Sequence, residues 1–184
     1  MAGFVRAITK SNADALIADY LALVETIGAS VAGMSGLRLL KALKRDQVKV
    51  GPYPHVALFE AANRIMTDMV ILYGVKWLLS TNAFPFETYN VEYGNENSHG
   101  FDLRASSNGR QLVGEAFNVA PSFFQLKKTS MLKKLRAPEV AAEFRVLMFN
   151  EDAVPAGYKP SPGQNEFFVF VKVGDDGSYM VPSV

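Results

Sequence analysis

The sequence predicts an α+β fold of the α/β sandwich type, in which helices pack on a central mixed sheet. Three observations predict it: helical periodicity over the first third, three short strand-like runs after residue 80, and a later helix followed by further strands. The 184 residues favour one domain, since domains usually contain roughly 100–200 residues. Within this single domain (1–184) we distinguish an N-terminal helical part (1–54), a core (55–150), and a loop with a terminal hairpin (151–184).

The N-terminal part has the spacing of amphipathic helices. Ser11 is a candidate N-cap, with Asp14 three residues later. Apolar residues follow at helical spacing: Leu16, Tyr20, Leu23, Val24 and Ile27. Gly28, Ala32 and Gly36 then fall four residues apart, which either lets another helix approach closely or marks a break between two helices.

Helix and strand signals alternate in the middle of the chain. A helical stretch runs from about residue 55 to 79, after two prolines that end the preceding helix. Three strand-like runs follow, at 86–93, 100–106 and 111–119. Asn108-Gly109 is a strong hairpin-turn signal, so these runs predict an antiparallel three-strand meander that begins the mixed sheet.

The last third predicts one helix and the remaining strands. Pro121 suits the first turn of a helix that reaches about Arg136 and packs on the sheet. Residues 139–144 either extend that helix or form a short second one. The remaining segments are a buried strand at 145–149, a proline-containing loop at 153–164, and a hairpin of 166–173 with 179–181.

The composition excludes several classes of protein. Hydrophobic residues make up 49% and charged residues 20%, as expected for a packed globular chain. There is no cysteine and there are only two histidines, which argues against disulfide frameworks, thiol nucleophiles and Cys/His-rich metal sites. The longest apolar run, 69–79, is shorter than the roughly 20 residues that a membrane span needs. With no secretory signal visible, we expect a cytoplasmic protein that does not enter a membrane.

Two acids in the meander point to a reactive site. Residues 81–120 contain two basic residues, Arg104 and Arg110, and five acidic ones. A hairpin closed through Asn108-Gly109 pairs residues whose numbers sum to 217, which brings Asp102 opposite Glu115. Two carboxylates roughly 5 Å apart repel each other unless a cation or a shared proton lies between them. Magnesium suits such a pair, whereas a solvent-exposed pair of acids is the alternative interpretation.

The helix after Glu115 carries lysines that could serve the same site. Lys128 is near the centre of its apolar face and Lys127 is on the flank of that face. A lysine ammonium directed at the carboxylates would stabilise charge that develops during attack on a phosphodiester. The alternative is that the lysine stem packs while its head reaches water.

This order of elements and residues resembles the restriction-endonuclease-like nucleases, the PD-(D/E)XK superfamily, over about residues 55–150. The resemblance implies that Asp102 and Glu115 are the two acids that bind Mg2+ (or Mn2+). Phe117 stands where that motif has its lysine, and Lys128 or Lys127 is then the substitute, as in family members that carry the lysine on the following helix. Family members commonly add an acid on the preceding helix, for which Glu60 is the candidate.

Basic residues beside the predicted site are candidates for binding nucleic acid. Lys133, Lys134 and Arg136 follow the two lysines on the same helix and could contact phosphates, although charged helix faces are often simply solvated. His99 lies close to Asp102 in sequence and could contact a ligand.

The function that these patterns predict is magnesium-dependent hydrolysis of phosphodiester bonds in DNA. A restriction-type endonuclease acting as a homodimer, with one active site for each strand, is its most specific form. The alternative is a non-catalytic nucleic-acid- or protein-binding domain on a nuclease-like scaffold. A glycosidase-like acid pair is a third interpretation, and the single Trp77 argues against it.

Overall fold

The computed structural model describes residues 4–94, 100–175 and 177–183. Within these ranges the chain forms four α-helices and one seven-stranded mixed sheet, which confirms the predicted α+β class. The helices are α1 (Ala13–Val31), α2 (Gly36–Lys44), α3 (Leu58–Thr81) and α4 (Phe124–Leu135). The strands are β1 (Ala7–Thr9), β2 (Thr88–Val91), β3 (Leu103–Ser107), β4 (Arg110–Phe117), β5 (Phe144–Asn150), β6 (Glu166–Val171) and β7 (Tyr179–Val181).

The strands lie side by side in the order in which they occur along the chain. Strands β1 to β4 are antiparallel to their neighbours, β4, β5 and β6 are parallel, and β7 is antiparallel to β6. Helix α4 connects the parallel strands β4 and β5, because parallel neighbours need a long crossover. The sheet is therefore mixed, and its antiparallel meander comes first.

Helices cover both faces of the sheet. Side chains alternate along β4, so that Leu112 and Ala116 join the apolar cluster that contains α1 and α3, while Val113 and Phe117 join the cluster that contains α4. Gly74 lets α3 approach closely, since a Cβ at this position would lie 2.7 Å from Met148 Sδ. The site described below lies on the α4 side of the sheet.

The predicted meander is correct in position and in register. Leu103 lies opposite Gly114, and Ser107 lies opposite Arg110, so paired residue numbers sum to 217. Asn108 and Gly109 both have positive φ angles, of 50° and 78°, as a tight hairpin turn between twisted strands requires.

In the rest of the chain, two local predictions need correction and one open alternative is decided. The N-cap of helix α1 is Asn12, not Ser11. The Asn12 side chain forms hydrogen bonds with Thr9 and Ala7 of β1 and so joins the helix start to that strand. Strand β1 was not predicted, because three residues are too few to show a strand pattern. The small-residue stripe marks a break, because α2 begins at Gly36. Residues 139–144 form no helix, since the chain turns after Pro138 and enters β5 at Phe144.

Two further sequence-based expectations concern membranes and His99. No helix in the described ranges combines the length and the apolarity that crossing a bilayer requires. His99 lies outside the described residues.

Candidate active site

Asp102 and Glu115 lie together on the α4 side of the sheet. Asp102 immediately precedes β3, and the register that pairs Leu103 with Gly114 brings the next two residues, Asp102 and Glu115, alongside each other. Glu115 shares its face of β4 with Val113 and is buried. The hairpin thus brings the two acids together as the sequence predicts.

A backbone hydrogen bond orients Asp102. The Ala116 N–H donates to Asp102 Oδ2 at 2.8 Å, which connects the acid to the strand that carries Glu115. Burial raises the pKa of Asp102 above its ordinary value, and the nearby charge of Glu92 adds to this effect. The Ala116 hydrogen bond and the charges of Lys134 and Lys127 act in the opposite direction on the pKa.

Of the two acids, Glu115 has the more strongly raised pKa. Burial, with the neighbouring charge of Asp102 second, raises its pKa to about 7. Lys134 Nζ lies 2.7 Å from Glu115 Oε1 and partly offsets this rise. Within the described ranges Oε1 is buried and receives no well-aligned hydrogen bond, so this ion pair is its compensation.

Lys134 is therefore the lysine that contacts the acid pair. The sequence predicted Lys134 as a phosphate-binding residue instead. Its ammonium also lies 5.4 Å from the centre of the Phe101 ring. Lys127 is exposed and lowers the pKa of both carboxyl groups through its charge. Lys127 and Lys134 are seven residues apart, which brings them to one side of a helix. From this spacing the sequence could have predicted that Lys134 shares the site with Lys127.

Lys128 contacts an aromatic cluster rather than the acids. Its Nζ lies 3.2 Å from the Tyr158 hydroxyl and 4.7 Å from the centre of that ring. Partial burial, with the charge of Arg136 second, lowers the pKa of Lys128. The apolar face of α4 is wide, and Lys128 lies on the part that packs beside Phe124 and Tyr158.

The other predicted residues are spread around the site. Arg136 forms two hydrogen bonds with the buried Glu166, and Glu60 forms an ion pair with Arg64 on the surface of α3. Glu60 also lines a cavity of about 300 Å³ together with Lys127. Lys133 is exposed and lines a larger cavity of about 690 Å³ with Lys134 and Phe101.

Two further buried acids, Glu92 and Asp68, were not predicted from the sequence as site residues. Glu92 follows β2, is buried, and its N–H donates to the Asp102 carbonyl at 2.9 Å. Asp68 on α3 is fully buried and accepts hydrogen bonds from Tyr53, from Tyr20 at 2.5 Å and from the Gly94 N–H at 3.0 Å. Asp68 lies within the apolar stretch of α3, and this position could have predicted from the sequence that the acid is buried.

The donor set fits a hard divalent cation. Asp102 and Glu115 offer carboxylate oxygens, and among the described residues the one partner of Glu115 Oε1 is the Lys134 ammonium. In the described ranges no group of three or more His, Asp or Glu residues is arranged to hold a metal. Two carboxylates completed by water and by substrate oxygens are a set that Mg2+ accepts.

Comparison with protein-family models, with curated proteins and with solved structures gives no significant match. The fold and site define an α+β protein with a pair of acids, Glu115 buried and Asp102 half-buried, beside a helical lysine.

Proposed function

We propose that this protein hydrolyses phosphodiester bonds in DNA with the help of Mg2+ or Mn2+. The observation that carries the proposal is the meeting of Asp102, Glu115 and Lys134 at one place on the sheet. The order α3, β2, β3, β4, α4, β5 also agrees with the arrangement that the resemblance to restriction-endonuclease-like nucleases implies. Lys134, reaching back from α4, supports the idea that the helix replaces the lysine missing at Phe117.

The residues of this chain would divide the work of the reaction. Asp102 and Glu115 would hold the cation, which supplies polarisation of the phosphoryl group and activation of water when bound. Glu115 must be deprotonated to serve as a ligand, and Lys134 favours that ionised form. The same ammonium would stabilise negative charge that develops on the phosphate during attack.

The surroundings offer places for the DNA backbone. Lys134 contacts Glu115 and lines the larger cavity, while Ala116 contacts Asp102 and lines the smaller one. Lys134 thus connects the acid pair to the larger cavity, and Ala116 connects it to the smaller one. Lys133 and Lys127 add positive charge for phosphates at these two places.

Replacing one acid tests the proposal. We expect Asp102→Asn to abolish Mn2+-dependent cleavage of plasmid DNA, because it removes a cation ligand and its charge. Circular dichroism and thermal unfolding would show that the variant is folded. Glu87→Gln, an exposed acid in the same acidic segment, is the matched control and should cleave normally. Full activity of Asp102→Asn would overturn the assignment.

One observation favours a second function, a non-catalytic nucleic-acid-binding domain on the same scaffold. The ion pair with Lys134 already compensates part of the charge of Glu115 without a cation. If the wild-type protein binds DNA but neither cleaves it nor binds Mn2+ in a calorimetric titration, this second function is the correct one. The cytoplasmic location and the homodimer expected from the sequence stay predictions.

A further inference from the structure

The larger cavity beside the acid pair has a size and a composition of its own. It is open to the surface and has a volume of about 690 Å³, within the range of roughly 300–1,000 Å³ that small-molecule sites occupy. Helix α4 contributes Ser130, Lys133 and Lys134, and the segment before β5 contributes apolar residues such as Val140. Phe101, the residue before Asp102, lies at the same cavity.

We propose that this cavity binds one unpaired nucleotide of the substrate, so that cleavage occurs next to a base that is out of the duplex. This inference rests on the proposed nuclease function for one point only, namely that the adjacent acids carry out the cleavage. It names a substrate class, DNA with an unpaired nucleotide, for that same site.

The concave shape favours an unpaired base over a paired one. A base within a duplex is stacked on both faces and uses its pairing edge, so it cannot enter a cavity between a helix and a loop. A base outside the stack offers a flat face and a free edge. Such bases are held in proteins by aromatic stacking and by hydrogen bonds to that edge.

The lining residues provide each of these contacts. The Phe101 ring can stack on a base of any identity. The Gln111 amide and the Ser130 hydroxyl both donate and accept hydrogen bonds, as recognition of a base edge requires. Lys133 adds a positive charge for the phosphate of that nucleotide.

The position of the cavity connects binding to the acid pair. Phe101 and Asp102 are consecutive, and Lys134 both lines the cavity and lies 2.7 Å from Glu115. A nucleotide whose base occupied the cavity would therefore have its own phosphate on the side of the cavity where Lys134 and Phe101 connect it to the two acids. An unpaired base would thus select which phosphodiester is attacked.

Binding without hydrolysis tests the inference. We would measure, in EDTA, the fluorescence anisotropy of a labelled 20-base-pair DNA duplex with one unpaired adenine and of the same duplex fully paired. The wild-type protein should bind the first about tenfold more tightly, as expected from one stacked base. Ala141→Trp, which fills the cavity from an exposed position, should remove this preference. Ala22→Trp, exposed on α1, is the matched control and should keep it.

The outcomes separate this inference from the proposed function. Equal affinity of the wild-type protein for both duplexes, or a preference that survives in Ala141→Trp, would overturn the cavity assignment even if Asp102-dependent cleavage is observed. A preference lost in Ala141→Trp supports the cavity assignment even if no cleavage occurs, because binding in EDTA does not depend on the reaction. If Ala141→Trp does not fold, Phe101→Ala replaces it and should lose the same preference.

Discussion

Individual acids of this protein differ in how their charges are compensated. Glu166 is buried but forms two hydrogen bonds with Arg136, and this partner lowers its pKa. Glu115 is equally buried, yet its pKa is raised, because Lys134 does not offset burial and the charge of Asp102. The contrast marks Glu115 as a residue whose ionised form costs stability, which is typical of functional sites.

The raised pKa of Glu115 predicts a specific dependence of stability on pH. Between its ordinary value of 4.5 and its folded value of about 7, the folded state holds a proton that the unfolded state has released. The free energy of unfolding should therefore fall as the pH rises through this interval. Glu115→Gln should reduce that slope and stabilise the metal-free protein at pH 8 by on the order of 1 kcal/mol.

Urea unfolding in EDTA at several pH values between 4.5 and 8 would measure this effect. Glu87→Gln, exposed in the same acidic segment, should leave the profile unchanged. If Glu115→Gln were less stable than the wild-type protein at every pH, the ion pair with Lys134 would outweigh the burial of the acid.

Among the elements, α4 directs its lysine side chains to different neighbours. Lys134 meets the acid pair, Lys133 lies at the larger cavity, and Lys128 packs against Tyr158. The rotation of one helix on the sheet thus decides which ammonium could take part in the proposed reaction.

Single alanine variants of these lysines should separate the three roles. Lys134→Ala should reduce the rate of plasmid cleavage by about 100-fold, because it removes a positive group at the reacting phosphate. It should also shift the pH–rate profile upward, since Lys134 lowers the pKa of Glu115. Lys133→Ala should mainly weaken DNA binding, and Lys128→Ala should cost about 1 kcal/mol of stability with little effect on rate.

Initial rates over a range of DNA concentrations, together with thermal unfolding, would measure all three variants. Equal losses of rate in Lys134→Ala and Lys133→Ala would mean that α4 contributes only general affinity for phosphates.

Asp68 joins several elements beneath the opposite face of the sheet. Its carboxylate accepts hydrogen bonds from Tyr20 on α1, from Tyr53 in the loop before α3, and from the backbone N–H of Gly94 after β2. Gly94 has a φ of +63°, and a Cβ there would collide with the Tyr53 ring, so only glycine suits this junction.

Removing the carboxylate should therefore cost more than removing one of its donors. We expect Asp68→Ala to lower the free energy of unfolding by about 3 kcal/mol, because it leaves several buried polar groups without their acceptor. Tyr20→Phe should cost about 1 kcal/mol, since the other two donors remain. Urea unfolding would compare the two variants, and equal losses would show that the three donors do not act through Asp68.

At the scale of the whole molecule, the described residues form one sheet with helices on both faces, and the candidate site on it contains one acid pair. Hydrolysis of both DNA strands by this pair needs either two binding events or two copies of the chain. The homodimer predicted from the sequence would provide the second copy.

The products of plasmid cleavage distinguish these cases. A dimer should convert supercoiled plasmid to the linear form without accumulating the nicked circle, because its two sites act on both strands in one encounter. Sedimentation velocity at the protein concentrations of the cleavage assay would give the mass directly. A monomeric mass with nicked circles as the main product would contradict the dimer and leave the site itself intact.

Local chemistry in the sequence determined the part of the site that lies in the hairpin. The turn at Asn108-Gly109 sets the register, and strand alternation then assigns Asp102 and Glu115 to the same face. Both signals act over a few residues, so they can be read without knowing the rest of the fold. The α+β class followed in the same way from periodicity, whereas the three-residue strand β1 was too short to show a period.

Only the tertiary structure decided which side chains complete the site. A helical pattern shows that α4 has an apolar face, but the rotation of that helix on the sheet depends on packing against β4, β5 and Tyr158. This rotation brings Lys134 to Glu115 and Lys128 to Tyr158. The burial of Asp68 likewise depends on contacts with residues up to 48 positions away, which no short sequence window contains.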